Sequence, residues 1–426
     1  MSIYIIENWE GMSDTGLSLS GYFAIKNIIR KLLQARGGDE IMNEKRIVWL
    51  DGIKGLACLA VMWHHFILSF FPLLYSDSIS TKAHSSILEK ELQQSPWLFW
   101  VNGKYMVMLF LFITGIVVFK KVVEMNDAND LPRVMIKRYL RLMFPLAVMT
   151  VTVFLFMKCG WLKNNTASAF SGSSWLENCC PGEMNFLQMI YGIIAETWFG
   201  AFRITGALWM MSILFKGSYL VILLAILTWK VKPGKVVLIY FVLAGIMVLI
   251  SPYYAPMCLG AAFYICYKNY RWLFNHKCLG IVGLVVGCFF GGYPSGVKPN
   301  NVYRILCFLP EYIDSVLFWH IAGAMLTIYS VANLLTVQKI LSKKLMVFLG
   351  NISYAVYLWH PFFLSTIASY VYIILNKADM NEYVNVGVTF VVMNVAVIVF
   401  TYLFTKYIEQ RVILRIIENV LEFFGV

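Results

Sequence analysis

The amino-acid sequence predicts an all-α polytopic membrane protein with about ten transmembrane helices and both termini in the cytoplasm. Of its 426 residues, 60% are hydrophobic and 14% are charged, whereas a soluble chain of this length carries about a quarter charged residues. The mean hydropathy is +0.70. Long apolar stretches recur along the chain, and lysine and arginine are concentrated in alternate segments between them. These features exclude an ordinary soluble domain.

The predicted spans follow from the length of each apolar stretch, since a helix needs about 20 mainly apolar residues to cross the hydrocarbon core. Ten stretches come near this length, and an even number places both termini on the same side of the membrane. The shortest stretches lie between residues 236 and 292. The predicted spans are residues 47–72, 99–119, 139–157, 207–228, 236–251, 254–268, 278–292, 313–332, 345–370 and 384–407.

The distribution of lysine and arginine determines the predicted orientation. Segments on one side of the membrane hold 24 of these residues, and segments on the other side hold 8. Basic residues concentrate in cytoplasmic loops, so the first group, which includes both termini and residues 120–141, is assigned to the cytoplasm. The net charge of +12 then reflects loop asymmetry and not a nucleic-acid partner. We expect a multi-pass protein of the plasma membrane, with the lipid bilayer as its surroundings.

Composition divides the chain into three parts. Residues 1–46 are polar and contain FAIKNIIRKLLQ, a basic amphipathic segment of the membrane-surface kind, with Met42 as an alternative start that would make the preceding residues a misassigned upstream addition. Residues 47–408 hold the spans, and residues 409–426 are expected to form a cytoplasmic tail. The outer segment 158–206 is predicted to be a lid or an acceptor-contacting region, with an ordinary surface loop as the alternative.

The first span carries four ionisable side chains in LDGIKGLACLAVMWHHF, namely Asp51, Lys54, His64 and His65. Charged groups in hydrocarbon are costly unless they are paired or face a wet cavity, and they usually mark function. In a regular helix, Lys54 and His65 point within about 20° of each other and lie about 16 Å apart along the axis, whereas His64 points about 80° away. Asp51 is predicted to pair with Lys54. This stripe suits a reaction that joins a cytoplasmic anionic donor to an external acceptor.

The stretch RIVWLDGIKGLACLAVMWHHF resembles the opening span of the acyltransferase-3 family of integral membrane O-acyltransferases. Members show L-D-G-[LIV]-R-G-[IL]-A-A, followed by a histidine eleven residues after the arginine. That histidine corresponds to His65, in agreement with the helical wheel, and Lys54 stands at the arginine position. Lysine keeps the positive charge but lacks the bidentate fork that suits a phosphate group.

Two further stretches resemble motifs of the same family in the same order. LFLFITGIVVF, residues 109–119, is similar to F-F-x-[IL]-S-G, with Thr114 in place of the serine. KRYLRLMFP, residues 137–145, resembles R-[KR]-[FLY]-x-R-[IL]-x-P and supplies the pair Arg138 and Arg141. On a helix, two residues separated by three positions lie on adjacent turns of one face.

Two later stretches complete the resemblance. ALWMMSILFKGSYLV resembles L-W-[ST]-[LM]-x-x-E-x-x-G-S, a segment of one branch of the family, and contains Trp209; Leu214 stands where that branch usually has glutamate. LGNISYAVYLWHPFF resembles L-G-x-[IL]-S-Y-x-x-Y-L-x-H-x-x and contains Ser353, Tyr354 and His360. Five residues are expected to support the site: Asp51, Thr114, Trp209, Ser353 and Tyr354.

The resemblance implies an acyl-CoA-dependent O-acyltransferase. Such an enzyme would move an acyl group, most often acetyl, from cytoplasmic acyl-CoA to a hydroxyl group of an extracytoplasmic carbohydrate or its lipid-linked precursor. Acyl-CoA is then a cosubstrate, and no bound cofactor is expected. Lys54, Arg138 and Arg141 would bind the phosphate-rich donor. His65 and His360, predicted at a similar depth, would act on the weakly nucleophilic hydroxyl as general base or as transient acyl carrier.

Simpler interpretations remain open beside this one. The pair Arg138 and Arg141 also fits a positive-inside anchor, and His64 and His320 fit satisfied structural histidines. No spacing typical of a metal site occurs, so no metal is predicted. The alternative function is a polytopic secondary transporter or flippase with a histidine proton relay. Release of CoA by the purified protein would discriminate between the two functions.

Overall fold

The computed structural model describes residues 46–75, 92–93, 95–125, 127, 129–180, 183–200, 204–295 and 299–425. Within these ranges the chain forms helices and no strand. The basic amphipathic segment predicted within residues 1–46 lies outside the described residues, apart from Arg46. The predicted all-α polytopic fold is therefore confirmed for the part of the chain that the structure describes.

The helices are numbered here in chain order. They are α1 (Val48–Phe70), α2 (Gly103–Val123), α3 (Asp130–Lys158), α4 (Asn164–Ser171), α5 (Ser174–Glu177), α6 (Phe186–Tyr191), α7 (Trp209–Leu227), α8 (Pro233–Ile250), α9 (Ala255–Asn269), α10 (Lys277–Gly291), α11 (Ser315–Asn333), α12 (Leu335–Leu341), α13 (Lys344–Lys377) and α14 (Glu382–Phe423). Helix α6 continues through a π-helical turn, Gly192–Glu196, into a last α-helical turn, Thr197–Phe199. Short 3-10 helices lie at Pro72–Leu74, Pro96–Val101, Pro252–Tyr254, Arg271–Leu273 and Val302–Leu306.

All ten predicted spans are helical, but eight helices of the described chain are long and apolar enough to cross a membrane: α1, α2, α3, α7, α8, α11, α13 and α14. The segments predicted at 254–268 and 278–292 form α9 and α10, which have 15 residues each. At a rise of about 1.5 Å per residue, each covers about 22 Å, which is less than the hydrocarbon core of about 30 Å. These two helices are therefore short for complete spans.

Helix α2 lies at the centre of the fold, where it packs against α1, α7, α9 and α11. Two thirds of its apolar window is buried, compared with 17% for α8 and 28% for α14. A helix that is apolar all round but little buried in protein presents its surface to lipid. The centre of the bundle is therefore formed by α1, α2 and α13, and α8 and α14 lie at its lipid-facing periphery.

Glycines explain the close packing of α1 against α13. A Cβ atom at Gly55 would collide with the Gly350 backbone, and one at Gly350 would collide with Asp51. A Cβ atom at Gly52 would collide with the Leu341 carbonyl group at the end of α12, just before α13. Small residues at helix interfaces let two backbones approach closely in a membrane. The glycines of the first and last sequence motifs therefore bring these two motifs into direct contact.

Helix α3 begins earlier than the predicted span, at Asp130 and not at residue 139. Arg133 Nη2 lies 2.6 Å from the Glu418 carboxylate, and Lys137 pairs with the same carboxylate. Glu418 belongs to α14, which continues unbroken through most of the predicted tail. Ion pairs thus link the polar turns by which the two helices extend past the apolar stretches.

Candidate functional site

Two histidines from opposite ends of the sequence meet between α1 and α13. His65 Nδ1 lies 2.7 Å from His360 Nε2, and the two ring planes differ by 5°. The nitrogen atoms are closer than the separation of stacked rings, so the imidazoles meet edge to edge. His360 is fully buried and His65 is partly accessible. The sequence prediction that both lie at a similar depth agrees with this contact.

The hydrogen-bond partners determine the tautomers of this pair. His360 Nδ1 lies 3.0 Å from the carbonyl oxygen of Val356, which can only accept, so Nδ1 of His360 carries a proton. His360 Nε2 then accepts from the Nδ1–H group of His65 in the neutral pair. His65 Nε2 is left as an unprotonated nitrogen with no hydrogen-bond partner among the described residues. Such a nitrogen can accept a proton from a hydroxyl group.

The outer segment predicted as a lid or acceptor contact reaches this pair. The Trp175 ring in α5 stacks on the His65 ring, with centroids 4.6 Å apart and 11° between the planes. Ser173, which caps α5, donates a hydrogen bond to the Leu68 carbonyl group in α1. Trp175 is half-buried. One face of the His65 ring is therefore covered by an aromatic ring from the outer segment.

The same outer segment is attached to α13 just beyond His360. Lys163 N donates to the Ser365 carbonyl oxygen at 2.7 Å, and Ser365 Oγ donates to Cys180 Sγ at 3.3 Å. Ser365 lies in a π-helical turn of α13, Leu364–Ala368, a distortion often found at functional sites. A hydrogen bond with Cys180 and burial raise the pKa of the Cys179 thiol well above its ordinary range. This thiol is therefore protonated at neutral pH and is a poor nucleophile.

The inner end of the α1 stripe contains a network of charges. Lys54 Nζ lies 3.3 Å from Asp51 Oδ1, and Arg46 Nε lies 2.6 Å from Asp51 Oδ2. Arg46 Nη2 also donates to Asn351 Oδ1 in α13. One carboxylate thus faces two cations, and the group carries a net positive charge. Lys54 keeps 29% of its side chain exposed, so its ammonium group can reach a further anion.

The predicted arginine pair lies close to the same place. Arg138 Nη2 donates to Ser218 Oγ in α7 at 2.7 Å, and its buried Nε atom has no hydrogen-bond partner among the described residues. Arg141 is exposed, one turn away. Lys54 and Arg141 both lie within electrostatic range of Glu409, which belongs to a π-helical stretch of α14, Phe404–Ile413. Lys54 and Arg141 thus share one acidic neighbour.

The other residues taken from the motifs make mainly structural contacts. Thr114 Oγ1 donates to the Phe110 carbonyl group in its own helix, and Ser353 Oγ likewise donates to Gly350. Tyr354 differs, because its hydroxyl group donates to Leu142 in α3 at 2.7 Å and so links α13 to the helix of the arginine pair. The Trp209 ring packs edge-on against Tyr253.

Leu214 lies one turn before Ser218 in α7 and is buried. Ser218 Oγ donates to the Leu214 carbonyl oxygen and accepts from Arg138. Arg138 is thus directed towards the turn where one branch of the family has glutamate. In this chain the guanidinium group meets a hydroxyl group there and no carboxylate.

The remaining buried histidines form a separate group. His64 Nδ1 lies 3.1 Å from the Val101 carbonyl oxygen, and His320 Nε2 lies 3.0 Å from that of Tyr293. Asn102 Nδ2 lies 3.3 Å from His320 Nε2. These contacts fit the structural role expected for both histidines. Within the described ranges, no cluster of three or more histidine, cysteine or acidic side chains could hold a metal ion.

Two residues of the site were missed by sequence reasoning. Trp175 lies in the outer segment 158–206, which contains several aromatic residues. Nothing in the sequence distinguishes Trp175 from the others. Glu409 was assigned to a tail, and its only signal is an acidic residue among basic ones just after the last apolar stretch. Their positions depend on the packing of distant helices, which spacing alone does not predict.

Comparisons with known proteins agree with this architecture. The model of the acyltransferase-3 family, described as an acyltransferase domain, matches residues 47–406. Acyltransferase R4 of a Phoma species is 25% identical over 137 residues, which cover 30% of this chain and 29% of that protein. Acyltransferase clz18 of Cochliobolus lunatus is 28% identical over 141 residues, 31% of this chain and 29% of that protein. The matched region thus spans less than a third of each relative. No solved structure gives a significant match.

Proposed function

The chain belongs to the acyltransferase-3 family, and we propose that it is a membrane acyltransferase that transfers an acyl group from cytoplasmic acyl-CoA to a hydroxyl group of an extracytoplasmic acceptor. Acetyl is the proposed acyl group, and a carbohydrate of the cell envelope or its lipid-linked precursor is the proposed acceptor. The plasma membrane is the proposed location. The hydrogen-bonded pair His65 and His360 carries this proposal, because it leaves one basic nitrogen available.

His65 is the proposed general base. Its Nδ1–H group is held by His360, and the proton on His360 is in turn held by the Val356 carbonyl group. A base that is oriented by a second group is the usual arrangement for activating a hydroxyl nucleophile. Positioned proton transfer typically contributes about 10²- to 10⁴-fold to the rate. His360 is the group that keeps the reactive nitrogen of His65 unprotonated.

Lys54, Arg138 and Arg141 are the proposed donor site. Phosphate groups accept paired, charge-assisted hydrogen bonds from guanidinium groups. The buried Arg138 Nε atom without a partner supports the assignment, because such a donor is costly unless a ligand or water satisfies it. Glu409 lies within electrostatic range of Lys54 and Arg141 and offsets part of their positive charge.

The proposed reaction conserves atoms and charge in one exchange. The acceptor hydroxyl gives its proton to His65 Nε2, and its oxygen forms a bond to the thioester carbonyl carbon. The carbon–sulfur bond then breaks, and the CoA thiolate takes the proton back from His65. A second route, in which His65 carries the acyl group between donor and acceptor, uses the same nitrogen.

Trp175 is the proposed boundary between His65 and the outer surface. Because its ring covers one face of the imidazole, an acceptor must approach Nε2 past the edge of the indole. Aromatic faces also pack well against the apolar faces of sugar rings. The outer segment is therefore proposed to admit the acceptor, which deepens the expectation from sequence that this segment contacts it.

Acyl transfer by the purified full-length protein tests the proposal directly. The protein in nanodiscs is given acetyl-CoA labelled in the acetyl group and candidate glycans, and both CoA thiol and labelled glycan are measured. Equal amounts of the two products, lost in a His65→Ala variant that keeps its folded yield, are expected. CoA release that does not depend on any acceptor, or proton-coupled uptake of a substrate into vesicles without CoA release, would contradict it.

A further inference from the structure

A cavity separate from the histidine pair lies at the ends of α2, α7, α8 and α9. Its volume is about 390 Å³, within the range of small-molecule sites. Its wall is apolar, with Phe119, Ala225, Val236 and Ile265 among the lining side chains. None of the residues that line it belongs to the proposed donor or acceptor sites.

The rim of this cavity is positively charged. Lys230 and Lys268 both line it, and neither forms an ion pair with any residue that the structure describes. The nearby carboxylate of Glu124 is already engaged, since Lys120 Nζ lies 2.9 Å from it and the Tyr264 hydroxyl group donates to it. The cavity therefore combines an apolar interior with two uncompensated cations.

The cavity also lies at helix ends, which in a membrane protein is the region of the lipid headgroups. Helices α2, α7 and α9 end beside it and α8 begins beside it, so it opens at one end of the bundle. The distribution of lysine and arginine assigns that end to the cytoplasm. The cytoplasmic leaflet carries anionic lipids, and basic pockets between helices on that side bind their headgroups.

We propose that this cavity, rimmed by Lys230 and Lys268, binds the headgroup of an anionic phospholipid from the cytoplasmic leaflet. The phosphate group lies between the two ammonium groups, and the glycerol and the first methylene groups fill the apolar interior. The volume is too small for a whole phospholipid, so the acyl chains continue along α8, whose surface is largely exposed. This site is independent of acyl transfer and of the donor site at Lys54.

Native mass spectrometry of the full-length protein with dioleoylphosphatidylglycerol tests the site. Replacing each lysine by glutamine removes one charge that contributes about fivefold to binding, so Lys230→Gln with Lys268→Gln is expected to weaken the lipid adduct about 25-fold. The matched control is Lys232→Gln with Lys235→Gln, which removes the same charge from the neighbouring turn outside the cavity. The control is expected to change the adduct less than twofold.

Two further arms identify the ligand and do not depend on the variants. Dioleoylphosphatidylcholine is expected to bind weakly and equally to all three proteins, and millimolar CoA or inorganic phosphate is expected not to displace phosphatidylglycerol. In the unmodified sequence, phosphatidylglycerol should protect Lys230 and Lys268, but not Lys232 and Lys235, from acetylation by an amine reagent. Equal weakening in the control pair, displacement by the soluble phosphates, or the absence of selective protection overturns the proposal.

Discussion

The hydrogen bond between His65 and His360 predicts the activity of a variant in which both histidines are replaced, and neither single replacement tests this prediction. His65→Ala removes the proposed base, and a loss of at least about 10²-fold in kcat/KM is expected. His360→Leu removes the acceptor of the 2.7 Å hydrogen bond and leaves the His65 N–H group unpartnered and free to change tautomer. Keeping the proton on His65 Nδ1 without an acceptor costs about 1–3 kcal/mol. The reactive tautomer is then populated about 5- to 150-fold less, and the rate falls by the same factor.

If His360 acts only through His65, the two losses do not multiply. The double variant His65→Ala with His360→Leu should then have the same residual activity as His65→Ala alone, since residues that act as a unit are strongly non-additive. Independent roles would instead give a loss of at least about 500-fold, the product of the two single effects. His360→Gln, whose amide oxygen can accept from His65, should recover part of the activity that His360→Leu loses.

The assay is the initial rate of acceptor acylation at subsaturating acetyl-CoA, normalised to the monodisperse protein recovered from the membrane. His64→Ala is the matched histidine control, because His64 makes its hydrogen bond to Val101 and none to His65. It should keep a substantial fraction of activity. A double variant whose loss is the product of the single losses, or a dead His64→Ala beside an active His65→Ala, would refute the reasoning.

Three other predictions follow from the structure. Variants that keep a single exposed cysteine should report the orientation, with Cys159 labelled by an impermeant thiol reagent in intact cells and Cys278 labelled only after permeabilisation; the reverse pattern would overturn the assignment of sides. Lys54→Ala should raise the apparent KM for acetyl-CoA several-fold with little change in kcat, whereas Lys54→Arg should be tolerated, and donor binding should weaken with salt; an unchanged donor dependence would count against the site. Gly350→Val should lower the yield of folded protein because its side chain meets Asp51, whereas Gly387→Val, with open space around it, should not; equal yields of the two variants in a fluorescence-detected size-exclusion assay would contradict the packing argument.

The sequence predicted the fold class and the stripe on α1 because both depend on local regularities. Hydropathy and helical period place Lys54 and His65 on one face of one helix, and no tertiary contact is needed to see it. The structure adds that α13 reaches both ends of that stripe. Near the inner end Asn351 accepts from Arg46, which pairs with Asp51, and at the outer end His360 bonds to His65. The last motif was recognised from the sequence, but its contact with the first was not deduced.

The features that the sequence did not predict are contacts between segments that lie far apart in the chain. Trp175 reaches His65 because α5 is held against α1 by the bond from Ser173 to Leu68, and no periodicity encodes that bond. Composition alone predicts complete spans at α9 and α10. Each of these helices has 15 residues, fewer than the about 20 that usually cross the hydrocarbon core. The polar residues after the last apolar stretch predict a tail, whereas in the structure they continue α14. There Glu418 pairs with cations on α3, a contact that local polarity does not predict.

The pairing of α1 with α13 has a consequence for how the protein is made. Helix α1 is synthesised first, and its partner follows about 300 residues later, so a ribosome adding about 5–20 residues per second needs about 15–60 s to supply it. During that interval His65 lacks His360, and the glycine face of α1 is uncovered. The contact between α1 and α13 therefore forms only after the helices between them have been made.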